Sequence, residues 1–230
     1  MLWLADIQLV LWFAVIPAVV AVALIVTGVK DPTHLLRERE FRSPIHWKVL
    51  YDFSSGYWWV VIVGGVFTLA RFSEAFLVLR AQQIGLSITW TPLVMVVMAL
   101  FYSMSAYPVG WLSDRISCTK LLCMGMGLLV LADLLLAQSG SVIALMLGTA
   151  LWGLHMGFSQ GILASLVADK APTELKGTAF GIFNLVSGLC VLIASVLAGW
   201  LWQNMGSSST FLTGALLATA ALLLLLFKKQ

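Results

Sequence analysis

The stretch Ala70-Arg71-Phe72-Ser73-Glu74-Ala75-Phe76-Leu77-Val78-Leu79-Arg80 sets two opposite charges inside a long apolar run, Tyr57 to Gln83. A run of that length crosses a bilayer as a helix. Arg71 and Glu74 then sit deep in hydrocarbon, where each charge costs roughly 2.5–3.5 kcal/mol. Three residues apart, they share a helical face and can neutralise each other. At about 100° per residue, Gly64, Thr68, Arg71, Glu74, Ala75, Val78 and Gln82 form one stripe. A small, polar stripe on an otherwise apolar helix is the pattern of a cavity wall. A buried ion pair that only fixes packing is the alternative. Arg80 lies opposite Arg71 near the end of the run, where it is expected to snorkel to the interface.

The rest of the chain reads as a frame for that stripe. Of 230 residues, 61% are apolar and 10% charged, against about 25% charged in a soluble domain. Seven apolar runs are long enough to span, at approximately 7–29, 57–83, 90–110, 120–138, 141–167, 177–202 and 209–227. They are continuous rather than alternating, which argues against a β-barrel. The predicted fold is all-α, a polytopic transmembrane helical bundle of about seven spans. The N-terminus has no basic n-region, carries Asp6, and opens an apolar run too long for a cleaved signal.

Charge fixes the expected topology. The net charge is +3, and every Lys and Arg except Arg71 and Arg80 falls in one of four segments: the linker 30–52, the loop 111–120, the loop 168–176 and the tail Lys228-Lys229. The first six residues and the connections 84–89, 139–140 and 203–208 carry none. Basic and uncharged segments therefore alternate. The positive-inside rule puts the N-terminus outside and the C-terminus in the cytoplasm. Three divisions follow: a lone N-terminal transmembrane helix at 1–29, a cytoplasmic basic linker at 30–56, and a six-helix bundle at 57–230. The linker is partly amphipathic over His34 to Arg42 and is read first as a solvated connector.

Other intramembrane polar groups are candidates. In the fifth span, Thr149, Gly153, Gly157, Gln160 and Ala164 form a small face suited to close helix packing. Gly148, Trp152, His155 and Ser159 form the opposite face. His155, near mid-membrane, could relay protons or bind an anionic group, or be a hydrogen-bonded packing residue. The sixth span carries Gly177, Gly181, Asn184, Gly188, Ser195 and Gly199 on one stripe, read as a helix interface with Asn184 as polar glue or as a solute contact. Asp133 in the fourth span is an acid without an evident partner. The three cysteines, Cys118, Cys123 and Cys190, have no paired spacing and no accompanying ligands, so free thiols are expected and no metal or cofactor. No nucleophile–base set points to an enzyme, and nothing points to nucleic acid.

The loop Gly110-Trp-Leu-Ser-Asp114-Arg115-Ile-Ser-Cys-Thr-Lys120 is the most specific motif. Glycine permits a tight helix exit. Arg115 and Lys120 can meet acids of the next basic loop, such as Asp169, making a latch at the cytoplasmic face. The loop resembles the G-x-L-x-D-R-x-G-R-[RK] motif of the major facilitator superfamily of secondary transporters, in its copy between the eighth and ninth helices. Ser117 and Thr119 stand where the family has Gly and Arg. Asp169-Lys-Ala-Pro172-Thr-Glu-Leu-Lys176-Gly177-Thr-Ala-Phe-Gly181 is similar to the loop before the eleventh helix, with Lys176 where Arg is usual. Asp31-Pro32 and the linker resemble the end of the sixth helix and the central loop.

That resemblance implies that the chain corresponds to helices six to twelve of a twelve-helix carrier, the C-terminal half of the fold with one extra helix. Helices seven and ten would line the cavity, which falls on Arg71, Glu74 and His155. A whole cavity needs two halves. The chain is then expected to pair with a second copy or a partner chain, or to be a truncated product. The expected activity is alternating-access transport of a small solute, with proton-coupled efflux as the working case, in a bacterial inner membrane.

Overall fold

The computed structural model of the protein describes residues 7–28 and 47–227. The first six residues, the linker from 29 to 46 and the tail Lys228–Gln230 lie outside the described residues. Backbone contacts divide the chain into two units, Met1–His46 and Trp47–Gln230.

The first unit contributes α1, Ile7–Gly28, a largely apolar helix of 22 residues that continues through Pro17. Its length matches the roughly 20 residues a span needs.

In the second unit a 3-10 turn, Trp47–Asp52, leads into α2, Ser55–Leu69, and α3, Ala75–Gln83. Then follow α4, Pro92–Ser113; α5, Cys118–Gln138; α6, Val142–Lys170; α7, Lys176–Met205; and α8, Ser207–Phe227. All the regular structure among the described residues is helical, and α4 to α8 are each long and apolar enough to cross a membrane. The starts carry local causes. Ser54 Oγ accepts from Tyr57 N and Ser141 Oγ from Ala144 N, capping α2 and α6. Pro92 sits in the first turn of α4. Gly85 and Gly206 take φ of 94° and 86°, ending α3 and α7 in a conformation glycine alone adopts freely.

The second predicted span is therefore not one helix. It is two, of 15 and 9 residues, with an irregular segment from Ala70 to Glu74. Together they measure about 36 Å at 1.5 Å per residue, enough to cross a roughly 30 Å core, where neither suffices alone. No Pro or Gly causes the break. Ser73 N donates to Ser195 Oγ on α7 at 3.2 Å, and Ser73 Oγ accepts from Ala75 N at 3.3 Å. Side-chain oxygens thus replace ladder carbonyls. Phe72 is drawn into the core against Phe76, Trp152 and Phe211, with ring centroids 5.3–5.5 Å away. Burying that ring offsets the lost regular turn.

The packing centre is α5 and α6, with α4 against α6 and α8 against α5, while α2 lies along α7 and α8. The small face of α6 does what its pattern predicted. A methyl group at Gly153 would run into the Met98 carbonyl, and one at Gly157 into Ser105 Oγ, both on α4. The stripe on α7 does not. Gly177, Gly181 and Gly188 have nothing within 4 Å of where a Cβ would stand, and Asn184 is exposed. Helix α7 packs through neighbours of that stripe instead: Phe183 fits over Gly64, and Val186 and Cys190 over Gly65. The expected α7 helix interface is thus corrected to an open face from Gly177 to Gly188, while Ser195 holds Ser73 N and Gly199 lies beside Phe76.

Arg80 also departs from expectation. It is buried, 9% exposed, rather than snorkelling. Its Nε donates to Leu136 O and Ser139 Oγ, Nη1 to Gln83 Oε1 and Ser207 Oγ, and Nη2 to Ser139 O, at 2.6–3.2 Å. The uncharged connections after α3, α5 and α7 are thereby tied together at one end of the bundle. At the other end the basic loop before α7 meets the start of α2: the Lys170 side chain lies beside Gly56, and Tyr57 Oη donates to Ala179 O at 2.9 Å.

Candidate functional site

A cavity of about 1070 Å³ opens between α2, the break, α3, α6 and α7. Thr68, Arg71, Ser73, Glu74, Ala75 and Val78 line one side, with Gln160 from α6 and Asn184, Ser187 and Ser195 from α7; Trp152, Phe180 and Phe183 add aromatic surface. Most of the predicted stripe reaches the cavity even though the helix is broken. Ala70 and Glu74, at the two ends of the break, keep right-handed helical φ and ψ. Gly64 and Gln82 are left out: the first is covered by Phe183, the second is exposed.

Arg71 and Glu74 interact electrostatically across the cavity wall, and Arg71 also feels Tyr102 and His155. They do not meet in a direct ion pair, and among the described residues neither side chain has a hydrogen bond; the guanidinium sits 5.9 Å from the centre of the Phe67 ring. The mutual neutralisation read from their spacing is thus long-range. Opposite them, Tyr102 Oη donates to Gln160 Oε1 at 3.2 Å, which fixes the amide on the α6 wall.

His155 is placed behind the cavity rather than in it. It is 0% exposed, its ring stands edge-on to Trp152 and Phe67, and neither ring nitrogen has a hydrogen-bond partner. Trp152 is the wall between it and the cavity. Asp133, on α5, is likewise 0% exposed with both oxygens unpartnered, packed against Gly214 of α8. Nothing in the sequence announced that α5 and α8 would close over this acid.

The predicted latch residues lie at the basic end of the bundle without pairing. Asp114 ends α4, Arg115 stacks on Trp111 with its guanidinium carbon 3.7 Å from the ring centroid, and Asp114, Arg115, Lys120, Asp169 and Lys176 are all exposed. Among the described residues Arg115 and Lys120 form no ion pair with Asp169. The indole face holds Arg115 instead. Gly110 is exposed, with open space around it. No group of three His, Cys, Asp or Glu converges among the described residues.

The Major Facilitator Superfamily model matches residues 1–191 and again 60–230. The chain belongs to that superfamily. It is 34% identical over 173 residues to an uncharacterized MFS-type transporter of Methanocaldococcus jannaschii, covering 73% of this chain and 43% of that protein. A facilitated glucose transporter, member 2 of solute carrier family 2 from Gallus gallus, is 33% identical over 96 residues, covering 40% of this chain and 18% of its own. Among solved structures, a POT family transporter in complex with a thioalcohol conjugated peptide superposes with a TM-score of 0.66 at 19% identity, over 81% of this chain and 40% of that one. The chain thus spans less than half the length of these relatives. It is an integral membrane protein with the helical fold of a superfamily of transporters.

Proposed function

We propose that this superfamily member carries the solute-binding half of an alternating-access transporter, and that Arg71 and Glu74 form its solute and proton path with Thr68 and Asn184 on the cavity wall and His155 behind it, Gln82 lying outside. The observation that carries the reading is the cavity with two opposite charges on its wall. Charged groups at membrane depth face water-filled paths or partners, and irregular backbone at that depth is tolerated where it lines a cavity. Glu74 takes the coupling proton and His155, behind Trp152, is a second acceptor on the route. The working direction is efflux from the cytoplasm of a bacterial cell, with the basic loops inside. The N-terminal helix at 1–29, the linker at 30–56 and the bundle at 57–230 are the divisions of this reading. The cytoplasmic latch, Gly110, Asp114, Arg115, Lys120, Asp169 and Lys176, closes against the other half of such a carrier rather than within this bundle.

A second reading is favoured by the open face of α7 and by the length of the relatives: a non-transporting, truncated scaffold that assembles with a partner, or a second copy, supplying the other helices. Proteoliposomes with an internal pH dye separate the two. Solute-dependent proton flux by the wild-type chain, lost in Glu74→Gln while the fold is retained, supports the carrier. Undiminished flux in that variant removes Glu74 from the coupling path. A chain that is inert and monomeric supports neither assembly nor transport, and cross-linking to a partner supports the scaffold.

A further inference from the structure

The two cavity charges are held by different pieces of backbone. Arg71 N donates to Thr68 O, continuing the end of α2, whereas Glu74 O accepts from Leu77 N and opens α3. Ser73, between them, is tied to Ser195 on α7. The break therefore keeps the guanidinium and the carboxylate from collapsing onto each other, although flexible side chains three residues apart on an unbroken helix would readily pair. Both ends face the same cavity without a hydrogen bond. In so apolar a setting, charged groups need opposite charge or water. The facing walls carry the neutral polar groups Gln160, Asn184 and Ser187 and the aromatic surface of Trp152, Phe180 and Phe183, but no charge.

We infer that the cavity takes a small zwitterion, with a carboxylate on Arg71, an ammonium on Glu74, and an apolar side group on the aromatic wall. The guanidinium fork matches a carboxylate in two parallel hydrogen bonds. A ligand carrying both charges completes both residues at once, and one carrying a single charge leaves the other without a contact partner. This inference rests on the cavity being the solute site.

The test is calorimetric binding to the purified full chain in nanodiscs, using L-phenylalanine, 3-phenylpropionate, which lacks the amine, and phenethylamine, which lacks the carboxylate. L-Phenylalanine is expected to bind at least tenfold tighter than either. Arg71→Gln should reduce it to the level of phenethylamine, Glu74→Gln to that of 3-phenylpropionate, and Arg71→Lys should retain more binding than Arg71→Gln. Circular dichroism and gel filtration identify any variant that fails to fold, in which case the comparison of the three compounds on the wild-type chain still decides. Equal binding of a singly charged compound overturns the inference, as does L-phenylalanine binding unaffected by both substitutions, or no binding of any of the three. Binding is read without flux. Zwitterion binding by a chain that carries nothing sinks the transport reading alone, whereas flux of a singly charged solute without zwitterion binding sinks this inference alone.

Discussion

Arg80 Nη1 donates to Ser207 Oγ at 2.6 Å, across 127 positions of sequence. The remaining guanidinium bonds reach Leu136, Ser139 and Gln83, so one side chain joins α3, the turn after α5 and the start of α8. The short half-helix α3 has only 9 residues, too few to hold itself in place. Arg80 is the tether that lets the span be broken at Ala70–Glu74 and still keep α3 in register. The break and the tether belong to one design.

Arg80→Gln is expected to cost about 3 kcal/mol. Charge-assisted bonds are worth roughly 1.5–3 kcal/mol each when buried, but interhelical bonds in membranes average about 0.6. Arg80→Lys keeps the charge and loses the fork, so it should fall between. Thermal unfolding in detergent, followed by fluorescence-detected gel filtration, orders the three proteins. An Arg80→Gln chain as stable as wild type would show that the network adds nothing beyond packing.

Four glycines, three on α6 and Gly188 on α7, give a graded prediction. Gly153→Ala and Gly157→Ala force α4 away from backbone or Ser105 contacts, and overpacking of this kind costs about 1–3 kcal/mol. Gly161→Ala and Gly188→Ala meet nothing within 4 Å and should be neutral or slightly stabilising. The same melting assay reads all four. Equal losses at all four positions would contradict the α4–α6 contact.

Much of this was legible in the sequence, because hydrocarbon imposes simple rules. The run lengths located the spans, although the second proved to be two helices, and the Gly153 and Gly157 spacing marked a close-packing face whose partner, α4, only the structure supplied. Cavity residues Arg71, Glu74, Thr68 and Asn184 stood out as polar groups where polarity is costly. Three features were not legible, for a shared reason: they depend on pairing across the fold. The break carries no Pro or Gly and comes from Ser195 and the aromatic nest around Phe72. The fate of Arg80 depends on three loops meeting. The α7 stripe has the composition of a packing face and an open side in its place, since nothing in glycine spacing says whether a neighbour is present in the same chain.

Asp133 offers a test of an unpartnered acid. Both oxygens lack hydrogen bonds, and a Cβ at Gly214 would stand 2.5 Å from Oδ2. Replacing a buried polar group that makes no hydrogen bond by an apolar one of similar size removes a burial penalty of about 1–3 kcal/mol. Asp133→Leu is expected to be as stable as wild type or more so, and Gly214→Val to be severely destabilised by collision with Asp133 and Phe72. Melting temperatures in detergent check both. A strongly destabilised Asp133→Leu chain would mean that the carboxyl has an essential partner.

The bundle sorts its loops by charge, and that sorting is directly measurable. Arg80 gathers the uncharged turns near Ser139 and Ser207 at one end, while Lys170 and Ala179 meet the start of α2 at the other. A helix that crosses once must place Lys120 and Gln138 on opposite faces of the membrane, since α5 is 21 residues long. In a cysteine-free background, a single cysteine at Lys120 or Lys176 should react with impermeant maleimide only after the cytoplasmic side is opened, and one at Gly140 or Gly206 should react in intact cells. The basic clusters supply the inward bias. Labelling of positions 120 and 206 from the same side would break the crossing pattern and with it the arrangement of the cavity, because α7 and α8 could not then flank α2 as spanning helices.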